Sequence, residues 1–435
     1  KMERLKRELE WIAQHNIEFV FCADANFAIF ERDIELAQYA AEMRARYGYP
    51  KALSVQNAKN ASERVFTAQY VLAKAGLNKG VTLAFQSRDL GVLDNVARKN
   101  ISLEDFRTLQ KRFTKAGIET YSDMIIALAG ETYDSFANGV SDTIADGQHN
   151  RIQFGNLSNM PGAEMSDPVS MQKYGMVTQK VKAVTYHGVV HNAAWEVDED
   201  EELVIATNSM PPKDWVRTRA FAWMAAFLHF DKILQIPLVI AKEICGVTYR
   251  SLIEVFSECT NPSYPIILEI KNFFLEKARN IQQGYVEYCT GPNRLNIWWP
   301  ADEFIFIKLM YEAKRDDFYT ESLSALFCFL QDKHPDIEAI LQDAITLNRG
   351  LIKLPFLYQD KKIVLSYNIL EFYNSVRVME KIELEKRRSV CIIDRTTEQW
   401  VDWNEWMQKV VWWGNKKGAY LYGNVKTDHE MAGHY

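Results

Sequence analysis

The segment that decides the fold opens with the apolar run Ser122-Asp-Met-Ile-Ile-Ala-Leu128 and closes with Arg151-Ile-Gln-Phe154. Between these runs, apolar residues recur at the spacing of one helix face, at Phe136, Val140 and Ile144. A strand, a helix and a second strand in this order form the unit from which parallel sheets are built. The segment therefore predicts two parallel strands joined by a covering helix.

The same alternation extends toward the N-terminus. Three further strands are predicted over residues 17–22, 52–56 and 81–85, and amphipathic stretches separate them. One of these helices is predicted to end at Gly48, and Ser102-x-x-Asp105 is a capping signal at the start of another. A helix, four strand–helix units and a fifth strand predict an α/β fold with a parallel sheet.

Polar residues follow the predicted strands. Ligands of parallel α/β folds bind at the carboxyl ends of the strands, where such residues meet. Amides, hydroxyls and carboxylates at this edge are suited to a ligand with amino, carboxylate and ribose groups. The candidate positions are Asp24, Asn26, Gln56, Asn57, Gln86, Ser87, Gly130, Glu131 and Asn156.

The rest of the chain changes character. Residues 163–213 are predicted to form a connection with a β-hairpin between residues 184 and 205, with the acidic run Asp198-Glu-Asp-Glu-Glu202 near its turn. Residues 214–435 have a mainly helical, aromatic-rich pattern. We predict a second domain there, after an α/β domain of residues 1–162.

Composition narrows the class of protein. Hydrophobic residues make up 48% of the 435 residues, as in globular proteins, and a net charge of −6 without a basic block disfavours nucleic-acid binding. The most apolar stretch, residues 220–241, contains His229, Asp231 and Lys232, which disfavours a membrane span. No signal-peptide pattern opens the chain, so we expect a cytoplasmic protein.

Cysteine and histidine usage gives little sign of metal binding. None of the six cysteines belongs to a CxxC or CxxxCxxC group, and Cys22 is expected to be a packed core thiol. On a strand, His187 and His191 would place both rings on one face, but two imidazoles without a third ligand are weak evidence for a metal site.

Four segments carry a family resemblance through their order and spacing. They are Phe19-Val-Phe-Cys-Ala-Asp-Ala-Asn-Phe27, Val81-Thr-Leu-Ala-Phe-Gln-Ser87, Ile125-Ile-Ala-Leu-Ala-Gly-Glu-Thr132 and Arg151-Ile-Gln-Phe-Gly-Asn-Leu-Ser158. Together with residues 159–175 and the tail around residues 412–422, they resemble radical S-adenosylmethionine (SAM) enzymes. The similarity is strongest to the subgroup that has a cobalamin-binding domain.

The resemblance implies a fold and a set of cofactor contacts. The chain would supply the second to the sixth strand of a partial TIM-type (β/α) barrel. Asp24 and Asn26 would meet the SAM amino group, in place of the usual Gly-Gly-Glu. Gly130 and Glu131, in a relaxed GxIxGxxE motif, would lie beside the adenine. The implied ribose and carboxylate contacts are Gln56, Asn57, Gln86 and Ser87, and Asn156 completes the set.

The resemblance also implies a cluster. Such enzymes bind a [4Fe–4S] cluster through a CxxxCxxC loop after the first strand, and these 435 residues contain no such motif. The first residue, Lys1, is not a methionine, so the sequence is expected to begin inside a longer protein, with the cluster cysteines upstream of Lys1. We therefore expect a fragment that is inactive alone.

The parent enzyme is expected to cleave SAM to a 5′-deoxyadenosyl radical. It would methylate or rearrange a small-molecule substrate. Its further needs, as the resemblance implies them, would be cobalamin on an upstream domain and a reductant protein such as flavodoxin or ferredoxin.

Two alternatives remain open on the sequence. The first is a degenerate barrel without a cluster that binds a ligand or a partner protein. The second is an unrelated α/β-barrel hydrolase in which Asp24 and Glu131 act as paired carboxylates.

Overall fold

The structure, a computed structural model, describes residues 2–58, 62–78, 80–98, 100–190, 197 and 199–427. The helices are α1 Met2–Gln14, α2 Arg32–Tyr47, α3 Ser62–Lys74, α4 Leu90–Asn95, α5 Leu103–Lys115, α6 Tyr133–Ala145, α7 Pro168–Tyr174, α8 Pro212–Ala225, α9 Gln235–Cys245, α10 Tyr249–Ser257, α11 Pro265–Gln282, α12 Ala301–Tyr311, α13 Arg315–Leu330, α14 Ile337–Leu351, α15 Ile369–Arg377 and α16 Trp403–Trp406. The strands are β1 Phe19–Phe21, β2 Ala52–Ser54, β3 Val81–Thr82, β4 Thr120–Ile126, β5 Arg151–Asn156, β6 Val177–Lys182, β7 Asp200–Ala206, β8 Lys361–Leu365, β9 Ser389–Ile393 and β10 Val425–Thr427.

The first five strands form parallel sheets. β1 pairs with β2, and β4 lies between β3 and β5 in a second sheet, with every pairing parallel. Helices separate the strands along the chain. This arrangement confirms the predicted α/β class and its parallel strands, whereas closure into part of a barrel stays a prediction.

Local signals set the ends of several elements. Gly48 follows α2 with φ 76°, a left-handed conformation that glycine adopts at low cost. The Ser102 hydroxyl accepts a hydrogen bond from the Asp105 backbone N–H at 3.0 Å and caps α5. Thr132 and Ser135 form a reciprocal capping box at the start of α6. The predicted helix ends at Gly48 and Ser102 are therefore confirmed.

The hairpin differs from the prediction. The antiparallel pair joins β6 to β7, so its first strand precedes the predicted residue 184, and the acidic residues 200–202 belong to β7. Gln179, Lys180 and Lys182 in β6 face this acidic strand, opposite Leu203, Glu202 and Asp200. The lysines opposite Glu202 and Asp200 stabilise these acidic residues within a strand. The run of acidic residues in the sequence does not by itself reveal these partners on the neighbouring strand.

The C-terminal part is mainly helical but also contains a sheet that the sequence pattern did not predict. β8, β9 and β10 form an antiparallel sheet with β9 in the middle. One hydrophobic core joins β4, α6 and β5 to the C-terminal helices, and a second core lies among α1, α2, α3 and α5. β4 and β5 are therefore packed against residues from beyond position 200.

Helix length and composition bear on membrane spanning. Among the residues that the structure describes, no single helix is long and apolar enough to cross a bilayer. One bent pair, Pro212–Phe230 with Gln235–Cys245 at 95°, meets the length and composition test together.

Candidate functional site

Three of the predicted polar residues line one cavity. Gln56 and Asn57, after β2, and Gln86, after β3, surround a space of about 310 Å³ that we call the rim cavity. Arg98 and Asp123 also line the rim cavity. Three amides and one carboxylate therefore converge on the rim cavity.

Backbone and side-chain hydrogen bonds hold these residues in place. The Gln69 amide donates to Asn57 Oδ1 at 2.6 Å, and Asn57 Nδ2 donates to the Thr82 carbonyl at 3.4 Å. Gln86 adopts φ 62° and still pairs with β4, because its N–H donates to the Asp123 carbonyl at 2.8 Å. A left-handed conformation at a non-glycine residue is costly and is frequent at functional sites.

Asp24 and Asn26 lie in the loop after β1. The Asn26 N–H donates to Asp24 Oδ1 at 2.9 Å, which gives this loop the form of an Asx turn. The loop reaches the rim cavity through Ala25, whereas Asp24 and Asn26 are not among its lining residues. Asp24 is half-buried and Asn26 is exposed.

Glu131, which follows β4, is fully buried and is not among the residues that line the rim cavity. Its Oε1 accepts a hydrogen bond from the Ser135 hydroxyl, and its Oε2 has no hydrogen-bond partner among the described residues. Burial raises the pKa of Glu131, against the opposing effect of the Ser135 and Ser87 hydroxyls. Gly130, at φ 89°, leaves no room for a side chain, because an added Cβ would lie 2.6 Å from Asn95 Nδ2.

A second cavity, which we call the central cavity, is lined by residues of β4 and β5 and has a volume of about 370 Å³. Arg219 donates to Glu287 and, at 3.1 Å, to the Phe154 carbonyl. Asn156 Nδ2 also donates to Glu287, at 2.7 Å, while Asn156 Oδ1 has no partner in the described part of the chain. The predicted residue Asn156 therefore belongs with the central cavity. The charged and aromatic lining comprises Asp123, Arg151, Arg219, Glu287, Asp302, Lys416, Tyr186, Trp223 and Tyr288.

Asp123 lines both cavities. Burial raises the pKa of its carboxyl group, while Lys416 in the central cavity and Arg98 in the rim cavity oppose that rise. Asp123 was not predicted as a site residue, because it lies inside β4 rather than after the end of a strand. A charged residue at an alternate position of an otherwise apolar strand is the signal that marks such a position.

Two curated proteins are similar to the chain. The cobalamin-dependent radical SAM methyltransferase TokK of Streptomyces tokunonensis is 35% identical over 254 residues, which cover 58% of this chain and 37% of TokK. The 2-(S-pantetheinyl)-carbapenam-3-carboxylate methyltransferase of Streptantibioticus cattleyicolor is 38% identical over 228 residues, or 52% of this chain and 33% of that protein.

The chain is homologous to radical SAM methyltransferases. This finding confirms the resemblance inferred from the strand-end segments. The matched region spans about a third of the length of each relative. No protein-family profile matches the chain.

The rim residues of this radical SAM homologue fit SAM. SAM offers an ammonium group, ribose hydroxyls and an adenine amine as hydrogen-bond donors. Gln56, Asn57 and Gln86 present amide groups to the rim cavity, whereas the buried Glu131, whose Oε2 has no hydrogen-bond partner within the described ranges, does not line it. Gln56, Asn57 and Gln86 would hold the cofactor through amide groups near the ends of β2 and β3.

An iron–sulfur cluster does not fit the cysteines of this chain. Cys22 and Cys245 are half-buried, Cys328 is exposed, and the other three cysteines are buried. The described residues contain no group of three or more cysteine, histidine, aspartate or glutamate side chains placed to hold a metal ion. We therefore assign no reaction step through a cluster to these residues.

The structure does not test the expected position of the cluster cysteines. Lys1, the residue before which the family resemblance places them, lies outside the described residues, which begin at Met2. The assignment of the CxxxCxxC loop to a segment upstream of Lys1 therefore stays a prediction.

The structure also bears on the hypothesis that His187 and His191 lie on one strand and bind a metal ion. His187 Nε2 contacts Glu303 Oε2 at 2.6 Å in a buried network. Arg151 pairs there with Asp231 at 2.6 Å and with Asp302 at 2.8 Å. His187 lies outside the named strands with φ 55°, so the strand prediction for it is wrong, and His191 lies outside the described residues.

Proposed function

We propose that the chain forms the SAM-binding rim and the substrate cavity of a cobalamin-dependent radical SAM enzyme that methylates a carbon of a small molecule. The observation that carries this proposal is the convergence of Gln56, Asn57 and Gln86 on one cavity in a homologue of two methyltransferases. In parallel α/β folds, the edge where residues after consecutive strands meet is the usual place for a ligand.

The two cavities divide the proposed tasks. The rim cavity holds the cofactor, which supplies the transferable methyl group when bound. The central cavity holds the substrate, and Asp123 contacts both. The lining of the central cavity contains three cationic and three carboxylate side chains, and the Trp223 ring offers an apolar face. A small molecule that carries both charged and apolar parts is therefore the proposed substrate class.

The proposal includes the family's other components. A [4Fe–4S] cluster requires three thiolates that this sequence does not provide as a CxxxCxxC group. Cobalamin on its own domain and a one-electron donor such as flavodoxin or ferredoxin are the proposed partners.

Equilibrium dialysis of the chain with methyl-labelled SAM tests the rim assignment. We expect weak binding, because the cluster normally chelates the amino and carboxylate groups of SAM. Gln56→Ala should weaken SAM binding several-fold, because this exposed amide lines the rim cavity and has no side-chain hydrogen-bond partner among the described residues. The matched control is Gln283→Ala, an exposed glutamine after α11. Equal SAM binding by both variants would contradict the assignment.

The hydrolase alternative receives no support from the contacts. Glu131 is surrounded by Ser87, Ser135 and Asp89, and Asp89 rather than Asp24 is the carboxylate whose charge acts on it. General acid–base catalysis by two carboxylates requires both to reach one substrate. The degenerate-barrel alternative remains distinguishable, because it predicts SAM-independent ligand binding that Gln56→Ala leaves unchanged.

A further inference from the structure

A third cavity lies at the opposite edge of the parallel sheet. Its volume is about 500 Å³, and its lining includes Glu119 and Asn150, which directly precede β4 and β5. The rim cavity, by contrast, is lined by residues that follow β2 and β3. The third cavity is therefore separate from the proposed SAM and substrate sites.

The lining of this cavity is positively charged. Four cationic side chains and two carboxylates face it. Lys353 and Glu398 neutralise each other at 2.9 Å. Lys232, Arg377 and Lys417 then face a single remaining carboxylate, Glu119. We call this space the basic cavity.

Lys232 is held at the wall of the basic cavity. It is only 3% exposed, and its Nζ donates to the His149 carbonyl at 2.5 Å and to Gln235 Oε1 at 2.8 Å. In its ammonium form, which a bound anion favours, this group has a third N–H donor for a ligand. Gly418 packs closely against Lys232, because a Cβ added at Gly418 would lie 2.9 Å from Lys232 Cε.

Arg377 supplies the second cation. It ends α15, and within the described ranges it makes no ion pair. Its Nε is buried and has no hydrogen-bond partner there. The Arg377 charge also acts on Lys232, whose pKa is lowered first by burial and then by Arg377. The Asp231 carboxylate offsets only part of this effect on Lys232, and two neighbouring cations are costly in a buried wall.

We propose that the basic cavity is a binding site for a phosphate group, either free or carried by a small organic monoester. A phosphate dianion balances the excess of two positive charges and accepts hydrogen bonds from both an ammonium and a guanidinium group. Asn150 and Asn374 add amide donors at the same wall. Leu351, Leu370 and Tyr373 offer an apolar surface for the organic part of a monoester. This proposal does not depend on the proposed function.

Isothermal titration calorimetry with inorganic phosphate and with phenyl phosphate tests the site. We expect saturable binding of at least one ligand to the unsubstituted chain. Tighter binding of phenyl phosphate would assign the site to an organic monoester, and equal affinities would assign it to the phosphate group alone. A chain that shows no saturable heat with either ligand would overturn the proposal.

Substitution locates the binding within the cavity. Arg377→Gln should weaken phosphate binding at least tenfold and should reduce the rise in melting temperature at a fixed phosphate concentration. Gly418→Ala should also weaken binding, because the new methyl group would displace Lys232. The matched control is Arg279→Gln, at an exposed position on α11 that lines none of the three cavities. Equal phosphate affinities in Arg377→Gln and Arg279→Gln would place the binding elsewhere and refute the site.

Discussion

Single residues at the proposed cofactor edge are constrained by backbone conformation. Gly130 combines a left-handed φ of 89° with a neighbouring Asn95 amide that donates to the Ala129 carbonyl at 3.0 Å. Glu131 follows directly and is buried. The conformation of Gly130 therefore determines where the Glu131 carboxyl group lies relative to the rim.

Gly130→Ala should destabilise the protein by about 2 to 3 kcal/mol, since it adds steric overlap to left-handed strain. Gly76→Ala is the matched control, because Gly76 has φ 68° and no atom within 4 Å of its added Cβ. That variant should lose only about 1 kcal/mol. Urea unfolding measures both free energies. Equal losses would show that the Asn95 contact adjusts without cost.

The buried pair of His149 and His229 predicts acid sensitivity. Their ring nitrogens lie 3.1 Å apart, and burial lowers the pKa of both well below 6.5. The folded state therefore keeps both rings neutral, while the unfolded chain binds protons near pH 6.5. The stability that the neutral pair contributes is present above pH 6.5 and is lost as the pH falls from there toward the lowered pKa values.

Unfolding free energies measured across this pH window test the pair. His229→Asn should show a shallower loss of stability on acidification than the unsubstituted chain. His15→Asn, at an exposed position on the surface, should follow the unsubstituted curve. Parallel curves for all three proteins would assign the acid sensitivity to other groups.

At the scale of elements, sequence periodicity predicted most of the helices and strands in the first half of the chain. The apolar run at β4 gave the correct element type, although the predicted strand, residues 122–128, is displaced by two residues from Thr120–Ile126. Ser102 gave the correct start of α5, because a cap is a local property. β8, β9 and β10 were missed because their pairing joins segments far apart in the chain. Their stability comes from the core they cover, which local patterns do not encode.

The same distinction between local signals and long-range packing applies to the candidate site. Gln56, Asn57 and Gln86 were predictable because they follow strands that the pattern located. Arg219 and Glu287 were not predictable, because α8 and the segment after α11 reach the sheet only through tertiary packing. Residues supplied by distant elements carry no spacing signal relative to the strands.

The N-cap of α5 provides a test at the element scale. Ser102→Ala should cost about 1 kcal/mol of stability, because it leaves the Asp105 N–H without its acceptor. Ser102→Asp should preserve most of that stability, since aspartate is an equally good N-cap. Chemical denaturation measures both variants. A similar loss in the two would show that the cap hydrogen bond is not what stabilises this end.

At the scale of the whole molecule, a buried charge network joins the sheet to the C-terminal helices. Arg151 on β5 contacts Asp231 and, across 151 residues, Asp302 on α12. Burial raises the pKa of both carboxyl groups, and the Arg151 charge opposes that rise. The Arg151 guanidinium group thus links β5 to α12 and to the segment that contains Asp231 through buried ion pairs.

Arg151→Met should destabilise the protein by about 3 to 5 kcal/mol at neutral pH, because it leaves buried carboxylates unpaired. The loss should become smaller at lower pH, where Asp231 and Asp302 bind protons and no longer need a cation. Arg279→Met, at an exposed site, should leave the unfolding free energy unchanged. A loss from Arg151→Met that does not vary with pH would contradict the electrostatic explanation.

The uneven burial of the six cysteines has a practical consequence for spectroscopy. Cys328 on α13 is exposed, whereas burial raises the pKa of Cys22 and Cys245 and raises that of Cys289 to about 11. A thiol reacts through its thiolate, so maleimide reagents should modify Cys328 first. The unsubstituted chain thereby carries a natural attachment point for a fluorophore or spin label, on a helix that lines none of the three cavities.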